Sequence, residues 1–423
     1  MSESRPVLQK NHESRRRRSN VRKLAAGMVI VGAAFAFAHL GFSEREPQSV
    51  QSKAMLARSE TYGKAVQPGI WPPGYPLVLL LGRKAGLPPR TTNLLLFCSA
   101  LLLLGFLYRQ VFPESNPVWA VLLYASCGFN YYNLSQFTSE ALVVPLALCA
   151  FSLLLLYLKK RTYPLLLGLS MCCAAVFISR YHALAWLLPL FGAHLLFSLR
   201  KFNRLSFLHL ATFGLIALIP LAFVMRANYK TNGHLTGMPR LGYDVRKLPD
   251  NLEHYRELTG ADDNIRLTAQ TLFVDFLSPR ALATHEVNQS AYRLSWLEWG
   301  VALILAFAVG IAAFYFFRGR VRLKNMPAPG KPGLGSEVSP GFLMGEFFVA
   351  YVVITVILWS VGNNDPIYTR FLYPSYPFLI LWGFAGYSFV KKASSSTPAV
   401  LPFILLYLSI ISINLYKIVP YLK

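Results

Sequence analysis

The sequence predicts an all-α polytopic membrane protein, a bundle of about eleven spans, and three observations carry that prediction. Of the 423 residues, 54% are hydrophobic and only 14% are charged. Apolar runs long enough to cross a bilayer, which takes about 20 residues, recur from residue 24 to the end of the chain. The 42 Lys and Arg outnumber the 19 Asp and Glu, for a net charge of +23. They gather in short clusters between the apolar runs: Arg15 to Arg18, Lys159 to Arg161, Arg200/Lys201/Arg204, Arg318 to Lys324 and Lys391/Lys392. That distribution follows the positive-inside rule of cytoplasmic loops and argues against a nucleic-acid partner.

The elements follow in order. Residues 1–23 form a basic cytoplasmic segment, and 24–42 reads as a retained anchor, because the basic stretch is long and a polytopic body follows. Further spans are expected at 92–108, 118–133, 140–158, 163–179, 182–198, 206–225, 299–317, 343–361, 371–390 and 399–416. With the N-terminus inside, every basic cluster falls in the cytoplasm. One transmembrane module then covers 24–225 and includes a first outer loop, 43–90. A second outer loop covers 226–297, where "NLEHYREL" and "NIRLTAQTLFVDFL" read as amphipathic helices lying on the membrane. A C-terminal module covers 298–423, interrupted by a Pro/Gly-rich cytoplasmic linker at 318–342. The five cysteines (Cys98, Cys127, Cys149, Cys172, Cys173) all lie in apolar runs and read as small core hydrophobes. No internal repeat is visible, which weighs against an inverted-repeat transporter.

Five polar motifs fall on the outer face of this topology. In "GIWPPGYPLVLLL", Pro72 and Pro73 predict an extended entry that cannot be mid-helix, and Trp71 and Tyr75 suit the headgroup level. A belt at a helix start and one wall of a site are both open readings. In "SQFTSEALVVPL", Ser139 can cap the next span, with Glu140 in its first turn where the dipole favours a carboxylate. Capping and catalysis explain Glu140 equally well. "FISRYHALAWLLPL" interrupts a long apolar stretch with Arg180, Tyr181 and His182 on the side where no arginine is expected, so function competes with snorkelling. "MRANYKTNGHLTGMPR" brings Arg226 and Asn228 to the end of a span, in a ligand contact or an ordinary polar loop. "GNNDPIYTRFLYPSYPF" supplies Arg370 and Tyr373, where a guanidinium can grip a phosphate or simply anchor the helix.

Together these motifs resemble the polytopic glycosyltransferases of the GT-C superfold, specifically the bacterial set of protein mannosyltransferases and lipid A core and aminoarabinose transferases. The pieces "WPPGYPLVLLL", "SEALVVPLALCAFSLLLLYL", "SRYHALAWLLPL", "RANYKTNGHLTG" and "RFLYPSYPFLIL" occur in the family's order. The resemblance implies a GT-C-like bundle and transfer of a sugar from a polyprenyl-phosphate carrier to a lipid, glycan or protein hydroxyl. It implies an integral protein of the bacterial inner membrane, working among membrane lipids on the extracytoplasmic face. Trp71, Pro72 and Pro73 match the proline pair near the donor site, with Tyr75 beside them. Glu140 matches the acid that opens the fourth span and contributes to the active site in relatives, which makes it a catalytic candidate, and Arg370 matches an arginine that contacts the carrier phosphate. Arg180, His182, Arg226, Asn228 and Tyr373 join them as substrate-binding candidates. Relatives carry their presumed catalytic base, an Asp, in the first outer loop, and the alignment places Gln48 there. Gln cannot act as a base, so the role passes to Glu46 or, next, Glu44. The motifs fix no cofactor. A divalent metal ion stays open, with Glu140 and His182 as contributors, although no ligand spacing supports one. The alternatives are an O-antigen-type ligase or polymerase and a non-enzymatic transporter or assembly subunit.

Overall fold

The structure, a computed structural model, describes residues 50–61, 72–113, 115–125, 130, 137–181, 183–198, 204–233, 343–352 and 373–393. Among them every regular element is helical. α1 (Val50–Thr61) and α2 (Gly74–Lys84) lie in the first outer loop of the sequence reading; α3 (Pro89–Val111), α4 (Val118–Ala125), α5 (Glu140–Lys160), α6 (Tyr163–Ser179), α7 (Ala183–Ser198) and α8 (Arg204–Asn232) follow. A short helix, α9 (Leu343–Val352), and a 3-10 turn (Tyr373–Ser375) leading into α10 (Tyr376–Ala393) complete the described chain. Pro89–Val111, Glu140–Lys160 and Phe207–Lys230 are long and apolar enough to cross a membrane, and Tyr163–Ser179, Leu187–Leu196 and Leu343–Val352 are shorter apolar helices. The chain is a helical membrane protein. The expected spans 24–42, 299–317 and 399–416, the amphipathic segments of the second outer loop and the linker 318–342 lie outside the described residues.

Local chemistry sets the helix ends. Pro73 does not hold the chain extended: it takes φ −77° and ψ −18° as the residue before α2, and its carbonyl accepts from Leu77 N–H at 3.0 Å. The physical reason is that proline's fixed φ also suits a helix start, where a missing amide proton costs nothing. At the other end of α2, Gly86 adopts φ +77°, Leu87 N–H reaches the Gly82 carbonyl and Gly86 N–H the Arg83 carbonyl, each at 2.9 Å. That is the Schellman arrangement, which needs a left-handed residue just past the helix. Pro88 and Pro89 then open α3, with proline at its first position. Only Arg161 and Thr162 separate α5 from α6, Arg161 taking the left-handed conformation at φ 51°. The two helices therefore form a tight antiparallel hairpin. It sets the start of α5 beside the end of α6.

α6 is the central post, packed mainly against α5 and α8, and α3 packs on the far side of α5. Apolar burial contributes little between helices in lipid, so close approach and specific contacts decide the packing. A Cβ on Gly74 would stand 2.2 Å from Ser179 Oγ, one on Gly82 2.3 Å from Thr92 Oγ1, and one on Gly345 2.8 Å from Trp382 Nε1. These glycines let α2 meet α6, α2 meet α3, and α9 meet α10. Phe151 of α5 forms an aromatic hub, its ring centroid 4.8 Å from Phe191, 4.4 Å from Phe347 and 4.7 Å from Phe378. Each such pair contributes about 0.5–1.5 kcal/mol, and together they dock the C-terminal helices onto the N-terminal module. Leu81, Met171, Leu215 and Phe223 are exposed, as expected of a surface that meets acyl chains.

Candidate active site

One end of the bundle gathers the starts of α2, α3, α5 and the 3-10 turn with the end of α6. The charged centre there is an ion pair. Arg180 Nη1 lies 2.7 Å from Glu140 Oε1, with Arg180 4% and Glu140 2% exposed. The α5–α6 hairpin creates this contact by bringing the first residue of one helix to the residue that follows the other. Arg180 is held there by its backbone, Arg180 N–H donating to the Val176 carbonyl at 2.8 Å. Glu140 Oε2 keeps a long contact, 3.4 Å, from Ser139 Oγ. Ser139 does not cap α5 as expected. Its own backbone is already helical, at φ −61° and ψ −22°, which leaves its side chain beside Glu140 instead of over the helix amides.

Glu140 lines a narrow cavity together with Asn93, Phe97, Tyr124, Asn130 and Tyr373, closed by Ala100, Ala141 and Val144. Its free volume is about 10 Å³, room for about one water. Its polar wall is braced internally. Tyr124 OH and Tyr373 OH are 2.5 Å apart, Tyr373 OH donates to Asn130 Oδ1, and the Asn130 amide donates to the Tyr124 carbonyl. Tyr75 OH donates to Asn93 Oδ1 at 2.5 Å. Tyr75 is therefore not a headgroup-level belt residue. It is fully buried, because α2 and α3 fold back on each other and offer its hydroxyl a partner. Burial pushes its phenol well above the ordinary value, the Asn93 bond opposing that and the Glu140 charge adding to it. The group stays protonated and donating.

The other sequence candidates fall in different places. Pro73 is buried and Pro72 half-buried at the entry to α2, and Gly74 presses on Ser179 beside Arg180. The proline motif thus touches the arginine motif. Tyr181 OH accepts from Asn228 Nδ2 at 3.3 Å, which ties the end of α8 to the same corner. Arg226 is exposed on α8 and does not line the cavity. Glu44, Glu46, Gln48, Trp71, His182 and Arg370 lie outside the described residues. Asn93, Tyr124 and Asn130 were not singled out from the sequence. Their only signal there is an isolated polar group one turn from the end of an apolar run. Among the described residues no three His, Cys, Asp or Glu side chains converge as metal ligands, and the guanidinium on Glu140 opposes a divalent cation at that carboxylate.

The helices superpose on a crystal structure of ArnT from Cupriavidus metallidurans bound to undecaprenyl phosphate, with a TM-score of 0.54 and 12% identity over 85% of this chain. The bundle has the ArnT fold. The GT-C resemblance in the motifs is matched at that level. This chain spans 60% of that ArnT chain. Apo ArnT from the same organism is also similar, with a TM-score of 0.37 and 13% identity over 87% of this chain and 78% of that one. No protein-family model and no curated protein sequence matches the chain.

Proposed function

We propose that the protein is a membrane glycosyltransferase that takes a sugar from a polyprenyl-phosphate carrier and delivers it to a lipid, glycan or protein hydroxyl. The observation that carries this reading is the buried Glu140–Arg180 pair beside a polar cavity, in a fold shared with an ArnT structure that holds undecaprenyl phosphate. A donor tethered in the bilayer needs no nucleotide-binding domain. It needs polar groups beside lipid-facing helices, and α3, α4, the start of α5 and the Tyr373 turn bring Asn93, Tyr124, Asn130, Glu140 and Tyr373 together there.

In this reading the cavity faces the extracytoplasmic side of a bacterial inner membrane, with the N-terminus in the cytoplasm. Pro72, Pro73 and Tyr75 form a rigid wall of the donor site together with Trp71. Arg370 and Arg180 supply positive charge for the phosphate that departs with the carrier. Glu46, or Glu44, takes the acceptor hydroxyl's proton in place of the residue at Gln48. Glu140 Oε1 is committed to Arg180, so Glu140 holds a substrate hydroxyl through Oε2 and does not act as the base.

The test uses full-length protein in nanodiscs with undecaprenyl-phosphate-linked radiolabelled sugars and an extract of envelope lipids and glycans. Sugar should leave the carrier and appear on an acceptor, and Glu46→Gln, Arg370→Gln and Glu140→Gln should each reduce the rate at least tenfold. Absence of any carrier-dependent transfer, with folded protein and a full panel of sugars, would overturn the proposal.

A further inference from the structure

We infer that Cys149 and Cys172 form a redox-active dithiol inside the membrane, which a lipid-soluble quinone oxidises to a disulfide that staples α5 to α6. Neither thiol takes part in the transfer reaction proposed above, so the inference stands apart from it. The two sulfurs face each other across the hairpin at 3.6 Å, 23 positions apart in sequence. The register of the hairpin puts them there. One turn further along α5, Leu153 is the side chain that a Cβ on Gly168, one turn back along α6, would meet at 3.5 Å. At the open end the same antiparallel register pairs Glu140 with Arg180. Exposure separates this pair from the other described cysteines: Cys98 and Cys173 are buried, whereas Cys149 and Cys172 are only half-buried. Both lie near the middle of their helices, and Met171 beside Cys172 is exposed. A reagent therefore reaches them through lipid and not through water.

Oxidation asks the sulfurs to close from 3.6 Å to about 2.05 Å. Gly168 leaves the seam one turn away without a side chain, which lets the helices approach. Both S–H bonds break and one S–S bond forms. The two protons and two electrons pass to the quinone, which becomes its hydroquinone. Reactants and products are all neutral, as suits a medium where an isolated charge is costly. A charged, water-soluble oxidant meets that cost on the way in. The product ties the helix that begins at Glu140 to the helix that ends just before Arg180. Cys149 is nine residues from Glu140, about 14 Å along a helix that rises about 1.5 Å per residue. The staple thus holds the hairpin that brings the buried ion pair together.

The test incubates reduced, full-length protein in nanodiscs with a fully substituted benzoquinone bearing a decyl tail, which accepts electrons but cannot form a thioether on its ring. Glutathione disulfide serves as the charged, water-soluble comparison. Acid quenching, alkylation of the denatured protein with N-ethylmaleimide, tryptic digestion and mass spectrometry then locate the oxidised sulfurs. Trypsin cuts in the exposed turn at Lys159, Lys160 and Arg161, so the two cysteines fall on separate peptides that only a disulfide joins. Most of the protein should carry the Cys149–Cys172 link, with one hydroquinone formed per link. The quinone should act at least tenfold faster than glutathione disulfide. Cys149→Ser and Cys172→Ser should each abolish hydroquinone formation, and Cys173→Ser should leave it unchanged. Monodisperse elution checks folding, and the wild-type linkage map decides the matter even if a variant fails to fold. Failure of the quinone to form the link, links mainly to another cysteine, or equal rates with the two oxidants overturns the inference. None of these results bears on carrier-dependent sugar transfer.

Discussion

Replacing Arg180 alone is expected to cost far more stability than replacing it together with Glu140. At a separation of 2.7 Å and an effective dielectric constant of about 20, the two charges attract by about 6 kcal/mol. Taking each ion out of water costs several kcal/mol, so the intact pair contributes little net stability. Arg180→Gln forfeits the attraction yet leaves a carboxylate that is 2% exposed without its counter-charge. The expected loss is about 3–5 kcal/mol. The double variant removes both charges and retains polar groups that can bond to each other, so it should lie within about 1–2 kcal/mol of the wild type. The double-mutant cycle should then show a coupling of several kcal/mol. Reversible unfolding in mixed micelles, titrated with sodium dodecyl sulfate and followed by circular dichroism, measures all four proteins. If each single variant loses less than about 1 kcal/mol, or the two losses simply add, water or a neighbouring group compensates the charges.

Gly74→Ala should destabilise the protein by about 1–3 kcal/mol, because the new methyl meets the Ser179 backbone as well as its hydroxyl. Ser179→Ala should rescue it only in part, since Ser179 Cα alone would lie 2.9 Å from the added carbon, and thermal unfolding of the three variants checks this. Tyr373→Phe removes the donor to Asn130 Oδ1 and should cost about 1–3 kcal/mol. Adding Tyr124→Phe should cost less than it does alone, because both tyrosines belong to one network. Phe151→Ala should cost about 3–5 kcal/mol, and limited proteolysis should then cut around α9 and α10 well before α5 and α6, because the hub ring docks them.

The helices were legible because apolar runs report directly on what lipid tolerates. The expected span 163–179 coincides with Tyr163–Ser179, and 140–158 differs from Glu140–Lys160 only at its end. The start of α2 was misread, since proline's fixed φ serves an extended chain and a first helical turn alike. The site was legible as a list of residues but not as a set of contacts. Glu140 and Arg180 were each singled out, one as an acid and the other as a cation, although an antiparallel hairpin with a two-residue turn brings its two outer ends together. Tyr75 shows the limit differently. An amphipathic ring at a helix start suits a headgroup layer or a buried acceptor, and only the fold-back of α2 on α3, which puts Asn93 within reach, decides between them. Asn93, Tyr124 and Asn130 gave almost no signal, because a lone polar residue near the end of an apolar run reads as the end of a span.

The position of the cavity has a consequence for how the site is made. Its lining comes from α3, α4, α5 and the turn at Tyr373, and the Tyr124–Tyr373 contact closes a separation of 249 residues. Neither sequence half encloses the space alone. In lipid the helices gain little from hiding apolar surface from one another, so docking depends on directional contacts such as the tyrosine–asparagine network and on ring packing around Phe151. The same side chains that hold the C-terminal helices in place thus form the wall that faces Glu140. Selection for a rigid cavity and selection for correct assembly act on one set of residues. Loss of the clasp should therefore impair ligand affinity and stability together, whereas truncation of exposed Arg226 should leave stability unchanged.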